Sequence, residues 1–302
     1  MRLPRASELP ARHPGAAPPT IAGYLTARFP GDAGRIDEKI AAGEVVTADG
    51  SPITAGTHYV SGLDIYLYRD PPAEEPVPFE LRILHHDEYL LVVDKPHFLA
   101  TMPRGRHITE TALVRLRRTT GIDDLAPAHR LDRVTAGVLV FTTHAAARRP
   151  YQDLFATGRV RKTYEAVCSA EPSVDLPAVV RSRIVKDRGV HRAYDTDGEP
   201  NAETAIERVP GGRHVRLRVH PTTGKTHQIR VHLASVDAPI VFDPLYGTPP
   251  ANPGEANGEQ PSDPSLADFT QPLQLLSRSL QFDDPLTGAR RRFVSGRTLS
   301  LW

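Results

Sequence analysis

Cysteine is almost absent from this sequence. The chain of 302 residues has one, Cys168, so an internal disulfide and a zinc site built from several cysteines are both excluded. Long apolar runs are missing as well: no stretch approaches the roughly 20 apolar residues of a membrane span. The basic N-terminus lacks the apolar core of a secretory signal. A cytoplasmic protein without a membrane partner is therefore expected.

An excess of charge of either sign is also lacking. Lysine and arginine number 37 and aspartate and glutamate 36, which argues against a polycation of the histone kind. A nucleic-acid partner would then require positive charge gathered locally. Between Arg130 and Glu165 there are seven basic and three acidic residues. This balance suits phosphate groups, although a solvated basic face would have the same composition.

Metal ligands in a usable arrangement are missing too. The chain has 13 histidines, but His227 and His232 are five residues apart, which is poor geometry for one helix face. No carboxylate cluster complements them. We therefore expect neither a metal site nor metal-dependent catalysis.

Changes of composition along the chain predict its domain organisation. Residues 1–19 are rich in proline, alanine and arginine and predict a disordered tail. Residues 20–70 carry helical stretches followed by short strand-like runs, which predicts a small α/β module. The acidic, proline-rich segment 71–78 predicts a linker, and residues 79–302 predict a larger domain of mixed strands and helices. Within it, residues 248–268 predict a flexible insertion because their composition cannot bury a core.

Several segments of the larger domain predict individual elements. The apolar run Val138–Thr143 predicts a buried strand, and KTYEAV at 162–167 predicts another. Pro210-Gly211-Gly212 predicts the turn of a hairpin. Pro150 lies inside an otherwise helical stretch, where it is expected to break or kink the helix. Tyr164 in KTYEAV is compatible with core packing and with stacking on a nucleobase.

The segment PAHRLDRVTAGVLVF holds the first candidate for chemistry. It places Asp132 between Arg130 and Arg133, just before the predicted buried strand. Nearby opposite charges favour the ionised carboxylate, which can then act as a nucleophile or accept a proton. A surface salt bridge explains the same spacing. Spacing alone leaves Asp132 as either a catalytic group or an ion-pair partner.

The segment TTGKTHQIRVHLASV holds the second candidate. It predicts a helix with one apolar face, and Lys225 and Arg230 near its first turn could anchor a phosphate or a carboxylate. An amphipathic helix with solvated polar residues is the alternative. Gly224-Lys225-Thr226 does not end a P-loop, because Val219 stands where that motif needs glycine. A phosphate-binding nucleotidase is thereby excluded.

Together these blocks resemble the RluA-type RNA pseudouridine synthases. The resemblance runs from about Leu81 to Phe293, with the blocks in matching order and spacing: ILHHDEYLLVVDKP, HRLDRVTAG, KTYEAV and TGKTHQIRVHLASVDAPIVFDPLYG. The earlier segment ARFPGDAGRIDEKIAAGEVVTADG is similar to a small RNA-binding module shared with a ribosomal small-subunit protein.

The resemblance implies an α+β fold with a mixed, mostly antiparallel central sheet flanked by helices and loops. It implies conversion of uridine to pseudouridine in rRNA or tRNA, with no cofactor and no metal. Asp132 corresponds to the catalytic aspartate, Tyr164 to the tyrosine that packs on the target base, and Arg230 to the basic residue paired with the aspartate. RNA is the expected partner of a protein expected to be a monomer without an obligatory protein partner. RNA contacts are expected at Arg130, Arg133, Lys162, Lys225 and His227.

Four places depart from the family pattern. Val134 begins a segment where Asp-Ser or Asp-Thr is usual, Lys225 replaces an arginine, Phe242 replaces a glycine before an aspartate, and Ser277 lies where a Leu-His-Ala element is usual. Lysine keeps the charge of arginine but cannot form the bidentate hydrogen bonds of a guanidinium group. The departures predict a changed RNA contact surface. They also motivate an alternative, an RNA-binding or ribosome-assembly protein without catalytic activity.

Overall fold

The computed structural model describes residues 3, 18–67, 74–105, 107–187, 190–247 and 269–302. The chain divides into two compact units, Met1–Pro71 and Pro72–Trp302. The predicted insertion at 248–268 lies outside the described residues, as does most of the predicted tail at 1–19. Leu3 is an exception within that tail, because its side chain is buried in the core of the smaller unit.

The smaller unit contains two helices, α1 (Ile21–Arg28) and α2 (Ala33–Ala41), and an antiparallel pair of strands, β1 (Val45–Thr47) and β2 (Ile65–Leu67). The side chain of Thr20 caps α1 by accepting a hydrogen bond from Gly23 N at 3.1 Å. Helices followed by short strands agree with the predicted α/β module. Its resemblance to a ribosomal RNA-binding module stays a prediction.

The larger unit is built on one sheet. Its strands are β3 (Arg82–His86), β4 (Leu90–Lys95), β5 (Ala126–Pro127), β6 (Ala136–Thr142), β7 (Arg161–Cys168), β8 (Ala178–Val185), β9 (Tyr194–Thr196), β10 (Ala202–Arg208), β11 (Val215–Pro221), β12 (Leu275–Asp283) and β13 (Arg290–Val294). Its helices are α3 (Ala112–Thr120), α4 (Ala145–Ala156) and α5 (Gln228–Ser235). None of the helices in the described part of the chain is long and apolar enough to cross a membrane.

The order of the strands is β3-β4-β6-β12-β7-β11-β10-β8-β9, with β5 beside β6 and β13 beside β12. The described neighbours pair antiparallel except for β6 and β12, which run parallel. The mixed, mostly antiparallel sheet that the resemblance implied is therefore confirmed. The predicted hairpin around Pro210-Gly211-Gly212 is present as the antiparallel pair β10 and β11.

Both faces of the central strands are covered. On β4, Leu91 and Val93 belong to the core that includes residues of α3 and α5, while Leu90 and Val92 belong to the core that includes α4. The side chains of strand β6 alternate between the same two cores, and the strand is buried along its whole length. A strand buried on both faces reads as a continuous apolar run, which explains the sequence VLVF.

Pro150 lies inside α4 without ending it. Its ring nitrogen cannot donate to the carbonyl of Ala146, a loss that costs about 3 kcal/mol or more in a helix interior. Ala147, Tyr151 and Leu154 of the same helix are buried against the sheet and offset that cost. Of the break or kink predicted from the sequence, the break is not present, because packing outweighs the local preference of proline.

Part of the predicted linker at 71–78 is bound to the larger unit. The Glu74 carboxylate accepts hydrogen bonds from the main-chain N–H groups of residues 108–110 at 2.7, 2.7 and 3.0 Å. Val77 is buried in the main core. Residues 74–78 therefore do not form a free linker, because Glu74 and Val77 have partners that composition could not reveal. Residues 71–73 lie outside the described ranges.

Candidate active site

Asp132 lies in the loop that leads into β6. The loop is fixed on both sides: the buried ammonium of Lys95 donates to Arg133 O at 3.3 Å, and Thr101 exchanges two hydrogen bonds with the main chain of Leu131 at 2.8 and 3.1 Å. The Asp132 side chain itself remains 25% exposed. The backbone is thus held while the carboxylate stays open to a ligand.

Arg230 projects from the first turn of α5 and is buried. Its Nε and Nη2 atoms donate to the two carboxylate oxygens of Asp243, each at 2.7 Å. Its Nη1 atom lies 3.4 Å from Oδ2 of Asp132. Burial opposes the charge of the guanidinium, but the hydrogen bonds and charge of Asp243 outweigh it and raise the pKa of Arg230 above its ordinary value. Arg230 therefore brings a permanent positive charge to Asp132.

Tyr164 lies on β7 and is 7% exposed. Burial raises the pKa of its hydroxyl to about 12, against a hydrogen bond from the side chain of Ser277 that lowers it. The negative charge of Asp132 raises it further. The Tyr164 hydroxyl is consequently protonated near neutral pH and lies within electrostatic range of Asp132.

Strand β12 brings Asp132 and Tyr164 together, because it lies between β6 and β7. Ser277 of β12 pairs with Gly137 of β6 and with Tyr164 of β7. Gly137 has φ of +112°, and a Cβ atom on it would come within 2.2 Å of Ser277 O. Only glycine allows this close approach, so Gly137 sets the distance between the two halves of the site.

His227 precedes α5 with left-handed backbone, at φ of 57°. Its Nδ1 atom lies 2.9 Å from the hydroxyl of Tyr246, and its Nε2 atom lies 3.8 Å from Oδ2 of Asp132. Burial is the main cause that lowers the pKa of His227 to about 4, with Asp132 acting against it. His227, which the sequence predicted to contact RNA, lies beside Asp132, and burial favours its neutral ring.

Three other predicted RNA contacts lie on or near the surface. Arg130 and Lys225 are exposed. Arg133 is half-buried, donates to Phe98 O at 3.4 Å, and places its guanidinium carbon 6.0 Å from the centre of the Phe98 ring. These positions are compatible with contacts to an RNA backbone, which stay a prediction.

Lys162 differs from the sequence-based expectation. Its side chain is buried, and its ammonium donates to Thr223 O at 2.6 Å. Burial lowers its pKa to about 8. The structure favours support of the loop that carries Lys225 over a direct contact with RNA. Elsewhere in the described ranges, no group of three or more His, Cys, Asp or Glu side chains is placed to hold a metal ion.

Asp243 and Tyr246 are site residues that sequence reasoning missed. Asp243 bonds Arg230, and the Tyr246 ring centre lies 5.0 Å from the guanidinium carbon of Arg230. Both belong to the block FDPLYG, which was noted only as part of the resemblance. A buried arginine requires a buried carboxylate, so the aspartate of that block was the available signal.

The comparisons with known proteins agree with this geometry. A family model described as RNA pseudouridylate synthase matches residues 89–235, the stretch that contains Asp132, Tyr164 and Arg230. An uncharacterised RNA pseudouridine synthase of Synechocystis is 30% identical over 229 residues, covering 75% of this chain and 78% of that protein. Human pseudouridylate synthase RPUSD2 is 33% identical over 199 residues, covering 64% of this chain. The match spans 35% of that human protein, about a third of its length.

Solved structures of similar fold include human RNA Pseudouridylate Synthase Domain Containing 1, with a TM-score of 0.54, 20% identity and coverage of 74% of this chain and 86% of that chain. Human RNA Pseudouridylate Synthase Domain Containing 4 gives a TM-score of 0.52 at 23% identity, with coverage of 72% and 88%. These likenesses support the fold alone. The Synechocystis relative adds similarity in sequence to this similarity in fold, because its identity and coverage are high enough to show the family. The chain therefore belongs to the RluA-type RNA pseudouridine synthase family, the isomerases that convert uridine to pseudouridine within RNA.

Proposed function

We propose that this protein isomerises specific uridines in structured rRNA or tRNA, and that Asp132 is its catalytic carboxylate. One observation carries the assignment: Nη1 of Arg230, a buried arginine, lies 3.4 Å from a carboxylate that is still 25% exposed. A surface salt bridge between two mobile side chains would not need a buried arginine held by a second carboxylate. This arrangement supports an Asp132 carboxylate that is paired with a fixed positive charge and that a substrate can reach.

The reaction suits these groups. The glycosidic bond must break, the base must turn, and a carbon must bond to the sugar where nitrogen did. An ionised carboxylate can attack the sugar or the base, or abstract a sugar proton, and each route begins at the same oxygen atoms. The target nucleotide must first leave its stack, at a cost of a few kcal/mol. Tyr164, which is within electrostatic range of Asp132, then offers a ring on which the flipped base can pack.

The class of RNA is proposed from the named relatives. Ribosomal large subunit pseudouridine synthase D of Pseudomonas aeruginosa is 29% identical over 267 residues, covering 83% of this chain and 79% of that protein. tRNA pseudouridine synthase C of Vibrio parahaemolyticus is 29% identical over 185 residues, covering 56% of this chain. Exposed Arg130 and Lys225 could hold the phosphates that flank the target. We also propose that the protein is a cytoplasmic monomer that needs no protein partner. Its N-terminal module would form a second contact with the RNA.

Release of tritium from RNA labelled at uridine C5 tests the proposal, because the new bond forms at that carbon. The wild-type protein should release tritium from at least one cellular RNA pool. Asp132→Asn should abolish release and leave RNA binding largely intact. Asp237→Asn, an exposed aspartate after the end of α5, is the matched control and should be fully active. RNA binding by folded wild-type protein without any release would instead favour the non-catalytic alternative.

A further inference from the structure

The hydroxyl of Tyr246 has its hydrogen bonds fixed by the main chain of Ala193. Ala193 N donates to it at 2.9 Å, and it lies 2.8 Å from Ala193 O. Ala193 is fully buried, and a buried carbonyl requires a donor. Among the described residues, Tyr246 is the donor that the structure gives to this carbonyl. The hydroxyl proton therefore points to Ala193 O, and the remaining lone pair of the hydroxyl must accept.

His227 donates the hydrogen bond that the Tyr246 hydroxyl must accept, and this bond fixes the tautomer of His227. Its Nδ1 atom lies 2.9 Å from the Tyr246 hydroxyl and must donate to it. A neutral imidazole carries one N–H. Nδ1 holds this proton, so Nε2 is left with a lone pair. Burial of the ring favours the neutral form and lowers the pKa of His227 to about 4, so the same tautomer persists at neutral pH.

The Nε2 lone pair of His227 lies beside the carboxylate of Asp132, the proposed catalytic residue. Nε2 and Oδ2 of Asp132 are 3.8 Å apart, which is beyond hydrogen-bond distance, and each is an acceptor in this state. The His227 side chain is 12% exposed and that of Asp132 is 25% exposed, so a bound nucleotide can reach both. Among the residues that the structure describes, none donates a hydrogen bond to Nε2, and this acceptor is satisfied when the nucleotide brings a donor.

We propose that His227 recognises the target base by accepting a hydrogen bond at Nε2 from N3–H of uracil. A flipped base has lost its pairing partner, and enzymes read such bases along the pairing edge. N3–H is the one donor on that edge of uracil, whereas N3 of cytosine is an acceptor and would face the lone pair of Nε2. His227 thus selects uridine over cytidine. This inference rests on the proposed function.

The test measures kcat/KM on a short RNA with one target uridine, and on the same RNA with N3-methyluridine or 2′-deoxyuridine at that position. The N3-methyl group removes the donor in question, and the deoxy sugar removes the other donor near the reacting atoms. The enzymes are the wild type, His227→Ala, and His227→Gln, which keeps an acceptor oxygen. Circular dichroism and thermal melting check that each variant folds.

For the wild type, N3-methylation should lower kcat/KM by about 10-fold or more, as expected for the loss of one hydrogen bond in a desolvated site. In His227→Ala, activity on uridine RNA should fall by about 10-fold or more, and the N3-methyl penalty should shrink towards 1. His227→Gln should recover part of both. The 2′-deoxy penalty should be the same in all three enzymes.

Two results would overturn the inference. If His227→Ala and His227→Gln lose activity but keep the full N3-methyl penalty, His227 only supports Asp132. If the 2′-deoxy penalty disappears instead, the hydrogen bond goes to the ribose. Either result leaves the proposed function standing, because the wild type remains active on uridine RNA. A wild type that is inactive on every RNA would refute the proposed function itself.

Tyr246→Phe provides an independent check of the tautomer. It removes the acceptor for Nδ1 and leaves the phenyl ring in place. Nε2 can then carry the proton part of the time, so discrimination by N3-methylation should weaken without being lost. An unchanged penalty in this variant would contradict the tautomer argument.

Discussion

Arg230 and Asp243 form an ion pair with two parallel hydrogen bonds, each 2.7 Å long, and both side chains are withdrawn from solvent. The planar guanidinium cannot rotate without breaking both bonds. Nη1 is the nitrogen left to face Asp132, at 3.4 Å. Asp243 therefore determines where positive charge lies beside Asp132, the proposed catalytic carboxylate.

Asp243→Asn should weaken both stability and activity. The substitution leaves the buried charge of Arg230 without its partner, a change that typically costs about 3–5 kcal/mol. The free energy of unfolding in urea should fall by about that amount, and tritium release should fall because Arg230 loses its fixed orientation. RNA affinity should change much less.

A double variant separates the two effects. Arg230→Met with Asp243→Leu replaces the buried pair by apolar side chains, so part of the lost stability should return. The recovery should be incomplete, because the main-chain N–H groups of Leu245 and Tyr246 donate to Asp243 Oδ1 at 2.8 and 3.1 Å and lose that acceptor. Activity should not return, because no charge faces Asp132. An active double variant would show that the position of Arg230 is unimportant for the reaction.

Tyr164→Phe tests the hydroxyl separately from the ring. Burial raises the pKa of Tyr164 to about 12, so wild-type activity should show no loss from its ionisation up to about pH 10. If the hydroxyl exchanges a proton during the reaction, its removal should lower kcat by about 100-fold at unchanged KM. Tyr194→Phe, which alters an exposed tyrosine on β9, is the control and should be fully active. Full activity of Tyr164→Phe would assign Tyr164 a packing role only.

The salt dependence of RNA binding should distinguish surface contacts from buried ones. Arg130→Ala and Lys225→Ala should each reduce the slope of log affinity against log salt by roughly 0.7–1, because each removes one phosphate contact. Lys162→Met should leave the slope almost unchanged, since its ammonium is bound to Thr223 O. Equal effects for Lys162 and Lys225 would contradict the placement of Lys162. Filter binding between 50 and 200 mM salt is sufficient for the measurement.

Stability should fall as the pH is lowered from about 6.5 towards 4. Burial lowers the pKa of His97, His227 and His232 to about 4 and that of His129 to about 3. The unfolded chain, with histidine pKa values near 6.5, binds more protons than the folded chain in this range. The contribution of these histidines to the free energy of unfolding is therefore complete above about pH 7 and is lost as the pH falls, by up to about 1.4 kcal/mol per pH unit for each such group.

Thermal melting across this range gives the test. His232→Gln should reduce the loss between pH 6.5 and 4, because His232 is fully buried and hydrogen-bonded to Thr204 and Ser182. His86→Gln alters an exposed histidine and should follow the wild-type curve. A melting temperature that is constant from pH 7 to 4 would contradict the assignment.

Local elements of the site could be predicted from the sequence because their patterns are local. The run Val138–Thr143 is apolar because both faces of β6 are covered, and it lies within a residue or two of the observed Ala136–Thr142. The hairpin at Pro210-Gly211-Gly212 and the helix that carries Arg230 follow from turn residues and periodicity in the same way. Their positions needed no knowledge of distant parts of the chain.

The remainder depends on contacts between distant segments, which no local pattern encodes. The pairing of Asp243 with Arg230 and the burial of Lys162 are set by tertiary packing. Phe242 is a different case, because here the residue type disagrees with the backbone conformation. It has φ of 60° in a turn closed by Asp243 N and Ile240 O at 3.2 Å, a position that favours glycine. Phe242 therefore adopts the left-handed backbone that glycine favours, and it places an exposed aromatic side chain on this turn.

The place of β12 in the sheet has a consequence for the time at which the enzyme becomes functional. Asp132 and Tyr164 are in the first two thirds of the chain, but the strand that separates β6 from β7 begins at Leu275. During synthesis the ribosome must release this late segment before β6 and β7 can take their final spacing. A nascent chain that ends before Leu275 should carry all three proposed catalytic residues and still be inert, so RNA modification should begin only after β12 has left the ribosome and joined the sheet.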